Sequence, residues 1–364
     1  MRSTRSAIFI TVAALVAIGI VMIYSASAIY ADSVMNDSLY YIKRHLLYIG
    51  IGLFMMVLAM LADLDKVRAA AKPLMLLSIL LLVMVLIPHI GSQTSGARRW
   101  FKFGPLSFQP SEFAKIAIII YMADFISRKE KVMKSFLHGY LPAIIALGGM
   151  VGLVLLEPDL GTAITISMIT VVMLFAGGVR PIYIWASFLA SLPVLYALLF
   201  RVAYRRKRMM MFLNPWADKR GAGFQIIQSF VALGSGGLIG VGLGQSRQKL
   251  FYLPASHTDF IFSIIGEELG FIGTASVVML FGIFVWLGMK IVFKSAGTFE
   301  RLMGLGIVSL VGIEAMINIG VTAGALPTKG LPLPFISYGG SGLVFHLMAI
   351  GLLFNIAKTC ESCE

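Results

Sequence analysis

The chain has 364 residues, of which 59% are hydrophobic and 13% charged, with a net charge of +13 and a mean hydropathy of +0.90. A soluble domain carries roughly a quarter charged residues, so the composition excludes a protein whose whole surface meets water. The positive charge would suit nucleic acid, but its distribution along the chain fits a membrane instead.

Ten runs approach the roughly 20 apolar residues that a transmembrane helix needs. They cover 8–30, 46–62, 73–90, 112–127, 139–157, 161–178, 181–203, 261–290, 302–324 and 340–357. Too little polar sequence remains to wrap them as the core of a soluble protein. The chain is therefore read as all-α, a polytopic membrane protein of about ten helices forming one domain over 1–364. With the N-terminus inside, the cytoplasmic segments hold fourteen basic residues, among them Arg128, Lys129, Lys131 and Lys134, and the short outer loops hold six. Both termini are thus expected in the cytoplasm. The segment 204–260 then becomes a large outer loop with eight more basic residues, and it is long enough to escape the charge rule.

The first run follows basic Arg2 and Arg5 and ends near Ser25-Ala26-Ser27-Ala28, a pattern shared with cleaved signal peptides. Its apolar stretch from Ile8 to Tyr24 is longer than a usual signal core, which favours a retained helix. After the third run, Gly96-Ala97-Arg98-Arg99-Trp100 sets paired arginines and an aromatic at interface depth. Guanidinium forks suit phosphate oxygens, although tryptophan favours the headgroup zone in any case. The fourth run opens at Gln109-Pro110-Ser111, where proline marks a helix start and serine can cap it. Glu112 and Lys115 follow on one helix face, as a structural ion pair or as an electrostatic clamp at the membrane surface. Asp124 is expected at a solvated helix end.

The long loop carries Arg205-Arg206-Lys207-Arg208, Asn214-Pro215-Trp216, a glycine-rich stretch over Gly234–Gly244, and His257-Thr258-Asp259-Phe260. Its Phe, Leu, Ile and Tyr content predicts a packed lid on the bilayer face. Gly240-Val241-Gly242-Leu243-Gly244 is not a nucleotide fingerprint and no Walker motif is present, which leaves no obvious ATP-driven transporter. Glu267 and Glu268 need a partner or water if they are helical. Cys360 and Cys363 cannot complete a zinc site alone, and a cytoplasmic tail disfavours a disulfide, so the tail is read as functionless.

Six motifs in order resemble the SEDS family of peptidoglycan glycan polymerases over essentially the whole chain. They are Tyr24-Ser25-Ala26-Ser27; Gly96-Ala97-Arg98-Arg99-Trp100; Gln109-Pro110-Ser111-Glu112-Phe113-Ala114-Lys115; Glu157-Pro158-Asp159-Leu160-Gly161-Thr162; His257-Thr258-Asp259-Phe260-Ile261-Phe262 with Glu267-Glu268-Leu269-Gly270; and Pro332-Leu333-Pro334-Phe335-Ile336-Ser337-Tyr338-Gly339-Gly340-Ser341. Val241–Leu250 and Pro327-Thr328-Lys329-Gly330 resemble the FtsW branch more than RodA, with SpoVE close to both. Two positions depart from the family pattern: Glu314 stands where glutamine is expected, and Gly342 where a second serine is usual.

The resemblance implies that the 4-hydroxyl of an acceptor sugar attacks the anomeric carbon of lipid II, releasing undecaprenyl pyrophosphate. It makes Asp259 the general base; a helix cap is the plainer reading of that residue. Arg98, Arg99 and Lys115 would offset pyrophosphate charge, with Glu112 and Asp159 orienting them or holding a divalent cation, and Ser337 joining the substrate site. No metal-ligand spacing decides the cation. Implied partners are lipid II and the growing lipid-linked glycan, a class B penicillin-binding transpeptidase, other division proteins and membrane lipid, with no nucleic acid. A lipid II flippase and a scaffold that only recruits a transpeptidase remain as alternative readings.

Overall fold

The structure, a computed structural model, describes residues 2–361 apart from 95–96, 105, 202, 220, 222 and 329. Gly96, Lys329, Cys363 and the side chain of Arg205 lie outside the described residues. Helices occupy all ten apolar runs: α1 (Arg2–Met35), α2 (Tyr40–Leu61), α4 (Ala71–Leu86), α5 (Pro110–Arg128), α6 (Leu141–Leu156), α7 (Leu160–Ala176), α8 (Pro181–Phe200), α11 (Ile261–Lys294), α12 (Thr298–Thr322) and α13 (Ser341–Glu361). Between them lie α3 (Leu64–Ala69), α9 (Ala203–Leu213) and α10 (Phe224–Ser235). Seven of the described helices are long and apolar enough to cross a membrane. Two others, α4 and α7, are shorter at 16 and 17 residues, and α5 carries Glu112 and Lys115 in an otherwise apolar stretch.

Burial separates a centre from a periphery. In α8 no residue is buried, and Trp185 and Leu189 are 64% and 61% exposed. Apolar surface on that scale is unfavourable in water and neutral in lipid. By contrast α5 is buried along nearly its whole length, and α12 and α13 pack beside it. Pro110 begins α5 where its missing N–H costs nothing, and Glu112 and Arg128 sit at the ends that the helix dipole favours. Asp124 is not at a solvated end: its side chain is 8% exposed and pairs with Arg128 at 2.7 Å and with Arg68 at 3.3 Å. Arg128 from the last turn of α5 and Arg68 from α3 both reach the carboxylate, giving it two guanidinium partners.

One segment departs from the all-α expectation. Strands β1 (Ser92–Thr94), β2 (Ala97–Phe103) and β3 (Leu106–Phe108) form a small antiparallel sheet in that order. The aromatic-rich run of β2 suits a half-buried pleated surface, and Phe101 pairs with Phe108 across it.

The glycine-rich stretch has a structural use. α11 breaks at Gly270, which adopts φ 66° and ψ −161°. The N–H groups of Val241 and Gly242 donate to the Glu267 and Glu268 carbonyls, while those of Phe271 and Ile272 donate to the Gly237 and Leu238 carbonyls. The loop thus satisfies the backbone groups that the break releases, as a non-aqueous interior demands. A Cβ at Gly240 would stand 2.1 Å from the Glu268 carbonyl oxygen, so only glycine permits this approach.

Candidate functional site

The end of the bundle that carries the sheet holds a cavity of about 470 Å³, within the range typical of ligand sites. Arg99, Trp100, Lys102, Gln109, Glu112, Asp159, Asp259 and Tyr338 are among its lining residues. Asp259 lies two residues before the start of α11, is half-buried, and takes no side-chain hydrogen bond from a described residue. Its main chain, in contrast, is tightly held. Asn318 of α12 donates from one Nδ2 to the Asp259 carbonyl (2.9 Å) and to the Leu331 carbonyl (2.7 Å). On the preceding residue, the Thr258 carbonyl accepts from Ser337 Oγ at 2.6 Å. One further back, the His257 carbonyl accepts from the Tyr338 N–H at 3.0 Å. A fixed backbone with an unpartnered carboxyl suits a group that must meet substrate.

Burial pushes the Asp259 carboxyl up to about 6; Arg208 and Arg99 lower it and Asp159 raises it. A carboxylate so raised is a stronger base and is still ionised at neutral pH. Asp159 caps α7 by accepting from the Thr162 N–H (3.1 Å) and hydroxyl (3.0 Å), and it also accepts from Gln109 Nε2 (3.3 Å). Glu157, fully buried at the end of α6, has no described partner for either side-chain oxygen, and burial pushes it up to about 8. Arg99 donates from Nε to the Glu157 carbonyl (2.9 Å) and from Nη2 to the Pro158 carbonyl (2.6 Å), the C-terminal end of α6 where a cation is favoured. Arg98 lies on β2 but does not line the cavity.

Lys115 lies beneath the cavity, 2% exposed, bound to Glu112 at 2.8 Å and to Glu314 Oε1 at 2.5 Å. The other oxygen of Glu314 meets His346 Nε2 at 2.7 Å, and His346 Nδ1 meets the Gly342 carbonyl at 2.7 Å. Four side chains from α5, α12 and α13 thus form one buried polar chain, with Glu112 at the cavity end. Ser337, 3% exposed, donates to Thr258 and accepts from the Leu333 N–H at 2.8 Å, and it does not line the cavity. Glu267 and Glu268 find partners: Glu267 accepts from the Ser246 hydroxyl and the N–H groups of Arg247 and Gln248, and Glu268 pairs with Lys249 at 2.9 Å and with Ser25 at 2.7 Å. Among the described residues no group of three or more acidic, histidine or cysteine side chains is placed to hold a metal. Glu112 is turned to Lys115 and Asp159 to its cap, so these residues do not fit a resident cation.

Comparison with known proteins settles the family. A family model described as "Cell cycle protein", that of FtsW, RodA and SpoVE, matches residues 5–362. The chain belongs to this family. A family member from Geobacter metallireducens named "Probable peptidoglycan glycosyltransferase FtsW" is 45% identical over 96% of this chain and 93% of the relative. "Stage V sporulation protein E" of Bacillus subtilis is 44% identical over 94% of each chain. Among solved structures, a chain from a peptidoglycan synthase complex superposes with a TM-score of 0.78 at 30% identity over 97% of both chains. RodA of Thermus thermophilus superposes at 0.70, with 28% identity over 96% and 95%.

Within this FtsW/RodA/SpoVE fold, sequence reasoning missed Asn318 and His346. One signal was available for the first: Glu314, Asn318 and Thr322 recur every four residues and draw a polar stripe along α12. His346 had no such signal, because its partner lies on another helix.

Proposed function

We propose that this chain is a peptidoglycan glycosyltransferase that polymerises lipid II at the outer face of the cytoplasmic membrane, acting as one transmembrane unit. The observation that carries the reading is Asp259: a rigidly mounted carboxylate, with no side-chain hydrogen bond among the described residues, on the wall of a cavity that also presents Arg99 and Lys102. Asp259 takes the proton from the acceptor 4-hydroxyl as that oxygen bonds to the donor anomeric carbon. The bond from that carbon to the pyrophosphate oxygen breaks, and Arg99 with Lys102 offsets the charge on the leaving group. Lys115 acts on the substrate only through Glu112. The likeness to FtsW relatives supports a septal role and partnership with a class B penicillin-binding transpeptidase and other division proteins.

Polymerisation of purified lipid II by the detergent-purified protein tests the activity. Asp259→Asn should lower the rate about 10²–10⁴-fold with unchanged expression and membrane insertion. In the unsubstituted protein, kcat/KM should fall tenfold per pH unit below about 6, where Asp259 takes up its proton. Wild-type turnover in Asp259→Asn would refute the base, and lipid II movement across vesicles without polymer would make the protein a flippase.

A further inference from the structure

Near Asp259, aromatic rings converge from separate stretches of chain: Tyr30 in α1, Tyr41 in α2, His257 before α11 and Tyr338 before α13. The Tyr41 ring lies 4.5 Å from that of His257 and 5.2 Å from that of Tyr338, while Tyr30 lies 5.8 Å from His257. Tyrosines at headgroup depth are ordinary, but three observations set this cluster apart.

The polar tips are unspent. The hydroxyls of Tyr41 and Tyr338 and the ring nitrogens of His257 make no hydrogen bond to a described residue. His45, fully buried with its ring 6.3 Å from Tyr338, has neither nitrogen partnered. A buried polar group is seldom left so, which makes His45 the exception here, while the partly exposed tips of Tyr41, His257 and Tyr338 are open to a ligand or to water. Second, the cluster adjoins the cavity through Tyr338, which lines it and whose N–H is bonded to the His257 carbonyl, two residues from Asp259; Tyr41 and His257 pack against the Tyr338 ring and do not themselves line the cavity. Third, the cluster differs in charge from the β2 side, which offers Arg99 and Lys102. Burial holds His257 down to about 4 and Tyr338 up to about 12, so both are neutral at physiological pH. Arg44 stacks on the face of Tyr40 at 4.3 Å, and its charge acts on Tyr41 and Tyr338 less than burial does.

We propose that Tyr41, His257 and Tyr338 form a carbohydrate subsite that seats an uncharged N-acetylated pyranose of the acceptor beside Asp259. This rests on the glycosyltransferase reading above. A pyranose presents an apolar C–H face that packs on aromatic rings, and a rim of hydroxyl and amide groups that suits the free phenol and imidazole tips. The basic side is then left to the donor pyrophosphate, so the cavity sorts its two substrates by charge.

The test titrates detergent-purified Asp259→Asn protein by NMR with two probes, N,N′-diacetylchitobiose read by proton saturation transfer and inorganic pyrophosphate read by phosphorus line broadening. The disaccharide should bind, Tyr41→Leu should weaken it about three- to tenfold, and Tyr41→Phe should retain more of the affinity. Pyrophosphate binding should be the same in all three proteins. No saccharide binding, an unchanged affinity in Tyr41→Leu, or an equal loss of both probes would each overturn the subsite. Lipid II polymerisation by the unsubstituted protein is scored alongside: polymerisation without ring-dependent saccharide binding refutes the subsite alone, and its absence refutes the activity.

Discussion

His346 Nδ1 faces a carbonyl oxygen, which can only accept, so a proton sits on that nitrogen. The 2.7 Å contact between Nε2 and Glu314 then needs a second proton between two acceptors. Counted this way, the chain Glu112–Lys115–Glu314–His346 is neutral as a whole. Glu314→Gln preserves that neutrality, since its amide donates to His346 Nε2 and its carbonyl accepts from Lys115. Thermal unfolding in detergent should therefore stay near that of the unsubstituted protein. Lys115→Met leaves two buried carboxylates facing one imidazole and should cost about 3–5 kcal/mol. Equal melting of these two variants would show that the network does not hold the three helices together. Exchanging Glu112 and Lys115 does not separate a clamp from a structural pair. The exchange would set a glutamate at 115 against Glu314, and it fails under either reading.

At the level of elements, α12 positions the base it does not carry. Asn318 ties the Asp259 and Leu331 carbonyls to one amide group, and its own Oδ1 has no described partner. Asn318→Leu releases both carbonyls without touching the substrate, and a shift of about 1 Å at a reacting group can cost roughly 10²-fold. The expected outcome is a fall in kcat with little change in KM, together with a moved acid limb of the pH profile as Asp259 changes its exposure. A change in KM alone would place Asn318 on substrate binding instead. The broken α11 serves the same positioning. Gly240 and Gly270 let the loop and helix backbones meet, and the Lys249–Glu268–Ser25 contacts tie that junction to α1.

Across the whole molecule, polar chemistry collects at one end of a bundle whose periphery is apolar. The proposed orientation puts that end outside the cell. In a variant whose Cys360 and Cys363 are serine, a membrane-impermeant thiol reagent added to intact cells should label Lys102→Cys and leave Lys131→Cys unlabelled until the cells are opened. The reverse pattern would invert the topology. The FtsW branch adds a cellular expectation: depletion should give filaments, whereas round cells would indicate elongation and a spore-confined defect sporulation.

The sequence by itself determined the membrane class and the ten helices, because each span is a local run of apolar residues that must satisfy its own backbone in lipid. It also marked Asp259, Arg99, Glu112 and Asp159, four residues of the ordered motifs that line one cavity, whereas Arg98, Lys115 and Ser337 of the same motifs do not line it. What only the tertiary structure decided depends on contacts between distant stretches. Lys115 turns out to answer Glu314, 199 residues away. Ser337 supports the backbone at Thr258, and the glycine-rich loop completes the break in α11. A local pattern shows which residues can carry charge or bend the chain. Their partners follow from helix packing, which no single run of sequence contains.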